Sequence, residues 1–600
     1  MSGYLSLEHY SPLLTLLVGL TGFFGIWGIG LWVWRRANLP EPWLSVIGAV
    51  TGILLFGLGC QAIAISGVAT HVNLTAYLLT WSALGMIYWL RRARKLKELQ
   101  QSLHPWMSLF LIPAGVLLMM AISGSTKIDE IYYHMLVPAR MVAREELIFF
   151  QFPWQAAIPQ MHYQIGLSPF HSIGFPHAGN VISWMLAMVF AFFAWSMVRK
   201  RNQSPFLAGA VTFVLLVGMY PMVWYVTSGA HSLGDLSVAT AVIAIACYSR
   251  MPDGVAAWVW TGAVSTLLVA AAVTKVTLLP LTITLWVCHL VRAEVLRNAM
   301  SDKTVLLAAA VAPWLLFYLP MIVWTWIQSG SPFGPLLAGR FGSSIYSVNA
   351  IRTALEGSQQ ANRQFHGLLP LIGYPYSLLF WGLLTGFAVS RRIPRMIPAL
   401  ALGIQAALIC VVLPWDLRFL GGTQLAPIIL AGMYFPQGRT NLFITRNSVK
   451  VAMVACCVPW FFAQLYYVAP FVSFVAGLTN QTAFYDRYIA FHRDFRQLDK
   501  ILPANAMVLS AGVRPPSIYF PREVYVRRQD VAAGGPVYLF ACDINPKRLT
   551  RRVPHVYELG ELVYENPDAL ISASRVPGVP GKQGSLQVFR LLNIQAEPSL

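Results

Sequence analysis

The sequence predicts an all-α polytopic membrane protein of about fourteen transmembrane helices, followed by a small external α/β domain. Three observations lead there. Of the 600 residues, 56% are hydrophobic and only 11% charged, and the mean hydropathy is +0.58. A soluble chain carries about 25% charged residues. Apolar windows of span length recur along most of the chain, and beyond about residue 477 the composition turns polar. A β-barrel is excluded, because its strands alternate in polarity and its spans are far shorter.

The apolar windows fall near 11–34, 43–67, 73–90, 106–124, 177–198, 205–227, 234–250, 256–273, 275–292, 304–327, 372–390, 396–414, 419–436 and 450–476. Three regions follow. Residues 1–105 hold N-terminal spans, 106–476 a helical core with long loops at 125–176 and 328–371, and 477–600 a soluble domain. In that last region a helical pattern runs from Thr482 to Leu502 and stops at Pro503. Short apolar runs then follow at Ala506 to Ser510, Val537 to Phe540 and Leu586 to Leu591, each strand-like.

The net charge of +19 would suggest nucleic acid in a soluble protein. Here Lys and Arg gather in short runs between spans, on alternate loops. Orientation by the positive-inside rule accounts for this, and no nucleic-acid partner is implied. The basic loops are then cytoplasmic, and both termini and both long loops are external. The first span lacks a basic region before it and is followed by Arg35 and Arg36, which reads as a retained helix rather than a cleaved signal. Of the seven cysteines only Cys542 lies in the polar tail, so that tail holds no internal disulfide, and no CxxC pair suggests zinc.

The residues that resist an explanation by packing lie on the external side. Asp129 and Glu130 follow the span at 106–124 and precede Tyr133 and His134. The stretch Ile131 to Phe150 is amphipathic and aromatic, as expected of a helix lying in the membrane interface and bent at Pro138. A carboxylate there is partly desolvated, which raises its pKa and suits it to act as a base. Asp235 begins a later span. It reads either as a first-turn carboxylate stabilised by the helix dipole or as a second acidic group facing Asp129. Lys275 sits between two apolar runs. It either snorkels to the interface or meets a lipid-borne phosphate. Arg340 and Arg418 have the guanidinium fork that suits phosphate oxygens, against a solvated loop charge and a local pair with Asp416. External histidines (His134, His162, His171, His177, His231, His366) match no zinc spacing.

Taken in order, these runs resemble the polytopic C-type glycosyltransferases (GT-C), near the protein O-mannosyltransferase and aminoarabinose transferase branch. The run Asp129, Tyr133, His134, Leu136, Pro138 is similar to the acidic motif of that family's first large external loop. Gly234, Asp235 and Leu236 resemble its second acidic position, and Thr274 to Thr277 a short Thr-Lys segment. Gly330 to Pro335 with Phe341 and Gly342 resembles a Gly-Asn-Pro-x-x-Pro-Phe loop, though Ser331 stands where Asn is common. Leu417, Arg418, Phe419 and Pro427 resemble its Arg-Tyr-Leu-x-Pro segment.

The resemblance implies a sugar donor linked to polyprenyl phosphate and an acceptor that is a lipid, a glycan or a protein. It implies inverting transfer at the periplasmic face of a bacterial inner membrane. Asp129 would be the general base with Glu130 beside it. Tyr133, His134 and Asp235 would line the substrate, and Lys275, Arg340 and Arg418 would meet the phosphate. No metal cofactor is implied, with a divalent cation left open. The alternatives are a transporter or lipid flippase, an O-antigen polymerase or ligase, and a membrane scaffold. Transporters place ionisable groups at the midplane on broken helices, whereas here they gather at the external ends of spans.

Overall fold

The computed structural model describes residues 10–93, 104–127, 130–147, 161–217, 225–229, 231–247, 254–292, 300–333, 396–411, 420–435, 446–512, 518–520, 522–525, 535–544, 557–574 and 578–593. The first helices are α1 (Pro12–Val33), α2 (Trp43–Ile65), α3 (His71–Ala93), α4 (Ser108–Ala121), α5 (Leu136–Arg144), α6 (His162–Gly166) and α7 (Ser168–Ser172). Then come α8 (Ala178–Asn202), α9 (Pro205–Leu216), α10 (His231–Cys247), α11 (Ala257–Thr274), α12 (Leu279–Arg292), α13 (Met300–Pro313) and α14 (Leu319–Ser329). The last are α15 (Met396–Val411), α16 (Gly422–Met433), α17 (Arg446–Val475), α18 (Gln481–Tyr488) and α19 (His492–Ile501).

Local chemistry sets several of these ends. Ser11 accepts a hydrogen bond from the Leu14 N–H and Pro12 follows it; Ser204 and Pro205 repeat the device at α9. Arg199, Lys200 and Arg201 fill the last turn of α8, where cations oppose the negative end of the helix dipole. Close approach of α1 and α3 requires glycine: a Cβ at Gly25 would lie 2.6 Å from the Ser82 Cα.

Every expected window that falls on described residues carries a helix; 372–390 lies outside them. Among the described residues, six helices are long and apolar enough to cross a membrane: Pro12–Val33, Trp43–Ile65, Ala178–Asn202, Ala257–Thr274, Lys303–Ser329 and Val458–Val475. The shorter apolar helices have 10–17 residues. At 1.5 Å per residue they reach at most about 26 Å, short of a hydrocarbon core of about 30 Å. The chain is a mostly helical protein with several helices suited to a membrane.

The expected interfacial helix takes another form. Glu130–His134 is a wide turn in which the Met135 N–H donates to the Glu130 carbonyl, five residues back. Helix α5 follows, packed on α6 and α7, with Ile131, Met135, Val137 and Met141 buried. Protein packs against the apolar side of this stretch, while Ala143 to Glu146 are exposed. Pro138 is in the first turn of α5, where its missing N–H costs no helical hydrogen bond.

The C-terminal region is α/β as expected. Strands β1 (Met507–Gly512), β2 (Glu523–Tyr525), β3 (Val537–Cys542), β4 (Tyr557–Ser572) and β5 (Lys582–Asn593) form one sheet in the order β2-β1-β3-β5-β4. Strand β1 runs parallel to β2 and β3; β5 runs antiparallel to β3 and β4. The single helix expected over Thr482 to Leu502 is two, because Phe491 adopts a left-handed conformation (φ 60°) between α18 and α19.

Side chains alternate across β1 and β3. Met507, Leu509, Val537 and Leu539 form a small separate core. Val508, Tyr538 and Phe540 face the other way and belong to the same continuous core as the helices. The domain is therefore seated on the helical part through one face of its sheet.

Candidate active site

The first centre is built around Glu130, which is 1% exposed. The backbone N–H of Ser228 donates to its Oε1 at 2.6 Å. The Ser228 hydroxyl donates to Asn180 Oδ1 at 2.6 Å, and Asn180 Nδ2 donates to Ser125 Oγ at 3.2 Å. The Ser125 N–H donates to His177 Nδ1 at 3.2 Å. That bond makes Nδ1 an acceptor, so the neutral ring carries its proton on Nε2. Burial holds His177 neutral, with its pKa pushed down to about 3. Burial also raises the pKa of Glu130, against hydrogen bonds from Ser228 and Ser125 and the nearby Lys127 charge.

Sequence dictates why this cluster is loop-built. Gly124 has φ +89°, a conformation that a β-carbon disfavours, and it turns the chain out of α4 toward Glu130. Asn180 and His177 stand at the start of α8, where the first N–H groups of a helix face outward.

The second centre lies one step further along the chain. Gln164 Nε2 and His134 Nδ1 are 2.7 Å apart, and the His134 and His231 rings meet edge to face at 6.1 Å. Asp235 follows His231 by four residues on α10, hence on the same face and about 6 Å along the axis. It is fully buried, and Lys275 Nζ donates to its two carboxylate oxygens at 3.2 and 3.3 Å. Lys275 ends α11 in an extended conformation and is 8% exposed.

Two expectations are corrected here. Asp235 is in the second turn of α10 rather than at a cap, so a charged partner and not the helix dipole accounts for its burial. Lys275 does not snorkel; its ammonium is turned inward onto Asp235. The segment that opens α16 closes over the pair. Gly421 has φ +47°, and a Cβ there would overlap Asp235 Oδ1, so only glycine fits.

An apolar groove begins at Leu279, four residues after Lys275 in the chain. Leu279, Ile283 and Trp286 line it at helical spacing on α12, opposite Val311 of α13, Trp314 and Tyr318, Ile322 of α14 and Phe333. Its volume is about 340 Å³, in the range of small-ligand pockets. Trp314–Tyr318 is a wide turn joining α13 to α14. Pro320 removes the N–H that Leu316 would receive in a regular helix, and the wide turn relieves the clash.

Of the sequence-predicted site residues, Glu130, His134, Asp235 and Lys275 come together along this path. The backbone of Tyr133 lies in the wide turn after Glu130. Asp129, Arg340 and Arg418 lie outside the described residues. Among the other expected histidines, His162 bonds the Leu54 carbonyl at 2.7 Å and pins α6 to α2, a structural duty. Ser228 opens the polar segment that runs to Asp235, whereas Asn180, Gln164 and Gly421 are not among the residues the sequence marks. Asn180 and Gln164 are polar residues within apolar surroundings, the one signal that could have found them. Among the described residues no group of three or more His, Cys, Asp or Glu is placed to hold a metal ion. No family model, no curated protein and no solved structure matches the chain.

Proposed function

We propose that the protein is an inverting membrane glycosyltransferase. It moves a sugar from a polyprenyl-phosphate carrier to a hydroxyl of a lipid, glycan or protein acceptor at the periplasmic face of a bacterial inner membrane. The observation that carries the reading is the apolar groove lined from Leu279 onward, about 8 Å along the chain from Lys275, whose ammonium is buried against Asp235. An isoprenoid tail suits the groove and its phosphate suits the cation.

The acceptor oxygen attacks the anomeric carbon and forms the new C–O bond. The C–O bond to the carrier breaks, and its electron pair leaves on the phosphate. The acceptor proton passes to Asp129. Lys275, Arg340 and Arg418 offset the charge on the departing phosphate. Glu130 anchors the turn that follows Asp129 in the chain, and Asp235 holds the Lys275 ammonium in place. Water excluded from the buried path cannot compete as acceptor.

The test is incubation of the purified protein with radiolabelled polyprenyl-phosphate sugars and a crude envelope extract. Label is expected to leave the carrier in the wild type, and Asp129→Asn is expected to stop transfer while the protein stays folded. Full transfer by Asp129→Asn rejects the base. Lipid moved across sealed vesicles with its sugar still attached would instead indicate a flippase.

A further inference from the structure

Three tyrosines from distant parts of the chain converge on the four residues that lead out of α4. Tyr10, ahead of α1, donates its hydroxyl to the Ile122 carbonyl at 2.5 Å. Tyr485, on α18, holds its hydroxyl 2.7 Å from where a Cβ on Gly124 would lie. Tyr519, of the C-terminal domain, donates to the Ser125 carbonyl at 2.6 Å. The Tyr519 ring also lies over the His177 ring at 6.4 Å, and Tyr10 meets His177 edge-on at 5.1 Å. All three tyrosines are largely or wholly withdrawn from solvent.

We propose that Tyr519 is a positioning residue through which the C-terminal domain sets the environment of Glu130, so that the acidic centre is complete only when that domain is seated. The route is short. Tyr519 holds the Ser125 carbonyl while Ser125 meets His177 and Asn180 with its N–H and hydroxyl, and Asn180 reaches Glu130 through Ser228. The charge that bears on Glu130 is Lys127 on its own loop, and Tyr10, Tyr163 of α6 and Tyr519 are neutral groups that lie within reach of the Glu130 charge. Tyr519 is the one among them that arrives with the C-terminal domain. Removing its ring opens the cover over Ser125 and His177 and lets water reach the carboxyl.

The inference rests on the proposed function only in counting Glu130 as part of an active centre, and its test needs no substrate. Infrared titration of the full-length protein follows the carboxyl stretch that disappears in Glu130→Gln. Tyr519→Ala is expected to move the Glu130 midpoint down toward the ordinary carboxylate range by about one pH unit. Tyr519→Phe, which keeps the ring and loses one hydrogen bond, is expected to move it less than half as far. If Tyr519→Ala does not fold, Tyr519→Leu takes its place with the same expected direction. An unmoved midpoint in the folded Ala or Leu variant overturns the proposal. In a transfer assay the same variant is expected to lose about tenfold in kcat with the donor KM kept. A wild type that transfers no sugar while its Glu130 midpoint still responds would refute the glycosyltransferase and leave the coupling standing.

Discussion

The Glu130 centre and the Asp235–Lys275 pair are neighbours built in opposite ways. Glu130 sits on a wide turn and is held by a backbone N–H, two serines, an amide and an imidazole, all short groups at helix ends and loops. Asp235 sits inside a regular helix and meets a long cation from the end of another. The first spreads the cost of a buried carboxyl over many weak partners. The second sets an opposite charge directly against it. A carboxylate held by neutral groups can still take and lose a proton. One locked to an ammonium serves better as a fixed charge.

Breaking the second arrangement is expected to cost most. Asp235→Ala leaves a buried ammonium without its carboxylate and is expected to destabilise the protein by about 3–5 kcal/mol. Adding Lys275→Met should recover most of that loss. Thermal unfolding of the three proteins in one detergent measures both, and a double variant no more stable than Asp235→Ala would show that the pair is not the source.

The first arrangement should yield more gradually. Ser228→Ala removes the hydroxyl that donates to Asn180 and leaves a buried acceptor unpaired, at a cost of about 1–3 kcal/mol. The N–H that holds Glu130 remains, but the hydroxyl that also favours its charged form is gone, so the Glu130 midpoint should rise slightly above its wild-type value. Unfolding and infrared titration of the same sample test the two halves of that statement.

The smallest effect is a slope. Glu130 has a folded pKa above its unfolded value, so the folded state binds the extra proton between the two. Its stabilising contribution is full below the unfolded pKa and is lost as pH rises through the raised folded value, by at most about 1.4 kcal/mol per pH unit. Glu130→Gln carries no such proton and should flatten the stability profile over that window. An unchanged profile would mean that Glu130 is not the group titrating there.

The contrast also explains what could be read from the sequence. Lys275 and Asp235 are conspicuous because charge within apolar runs is costly, and both stand at the centre found here. Glu130 and His134 are legible as part of a carboxylate pair followed by tyrosines and a histidine, just past the end of an apolar span. Asn180 was not: it opens the apolar run of α8 and passes for one tolerated polar residue. Tyr519 gave no signal, because its partner is a backbone carbonyl nearly four hundred residues away. The strands at Met507 and Val537 were visible as short apolar runs, whereas the break at Phe491 depends on a backbone conformation that periodicity does not encode. The packing partner of α5 is not legible in the sequence, because an amphipathic pattern fits a protein surface and a bilayer surface equally well.

The rim of the groove formed by α12 and the wide turn before α14 is apolar, with Ile283, Leu315 and Leu316 about half exposed. On a helix pair bathed in hydrocarbon, such a rim faces oil. Whatever settles there arrives sideways, by diffusion in two dimensions, and need not pass through water. Its working concentration is then a mole fraction in the bilayer, so dilution in buffer leaves occupancy unchanged and dilution with added lipid lowers it.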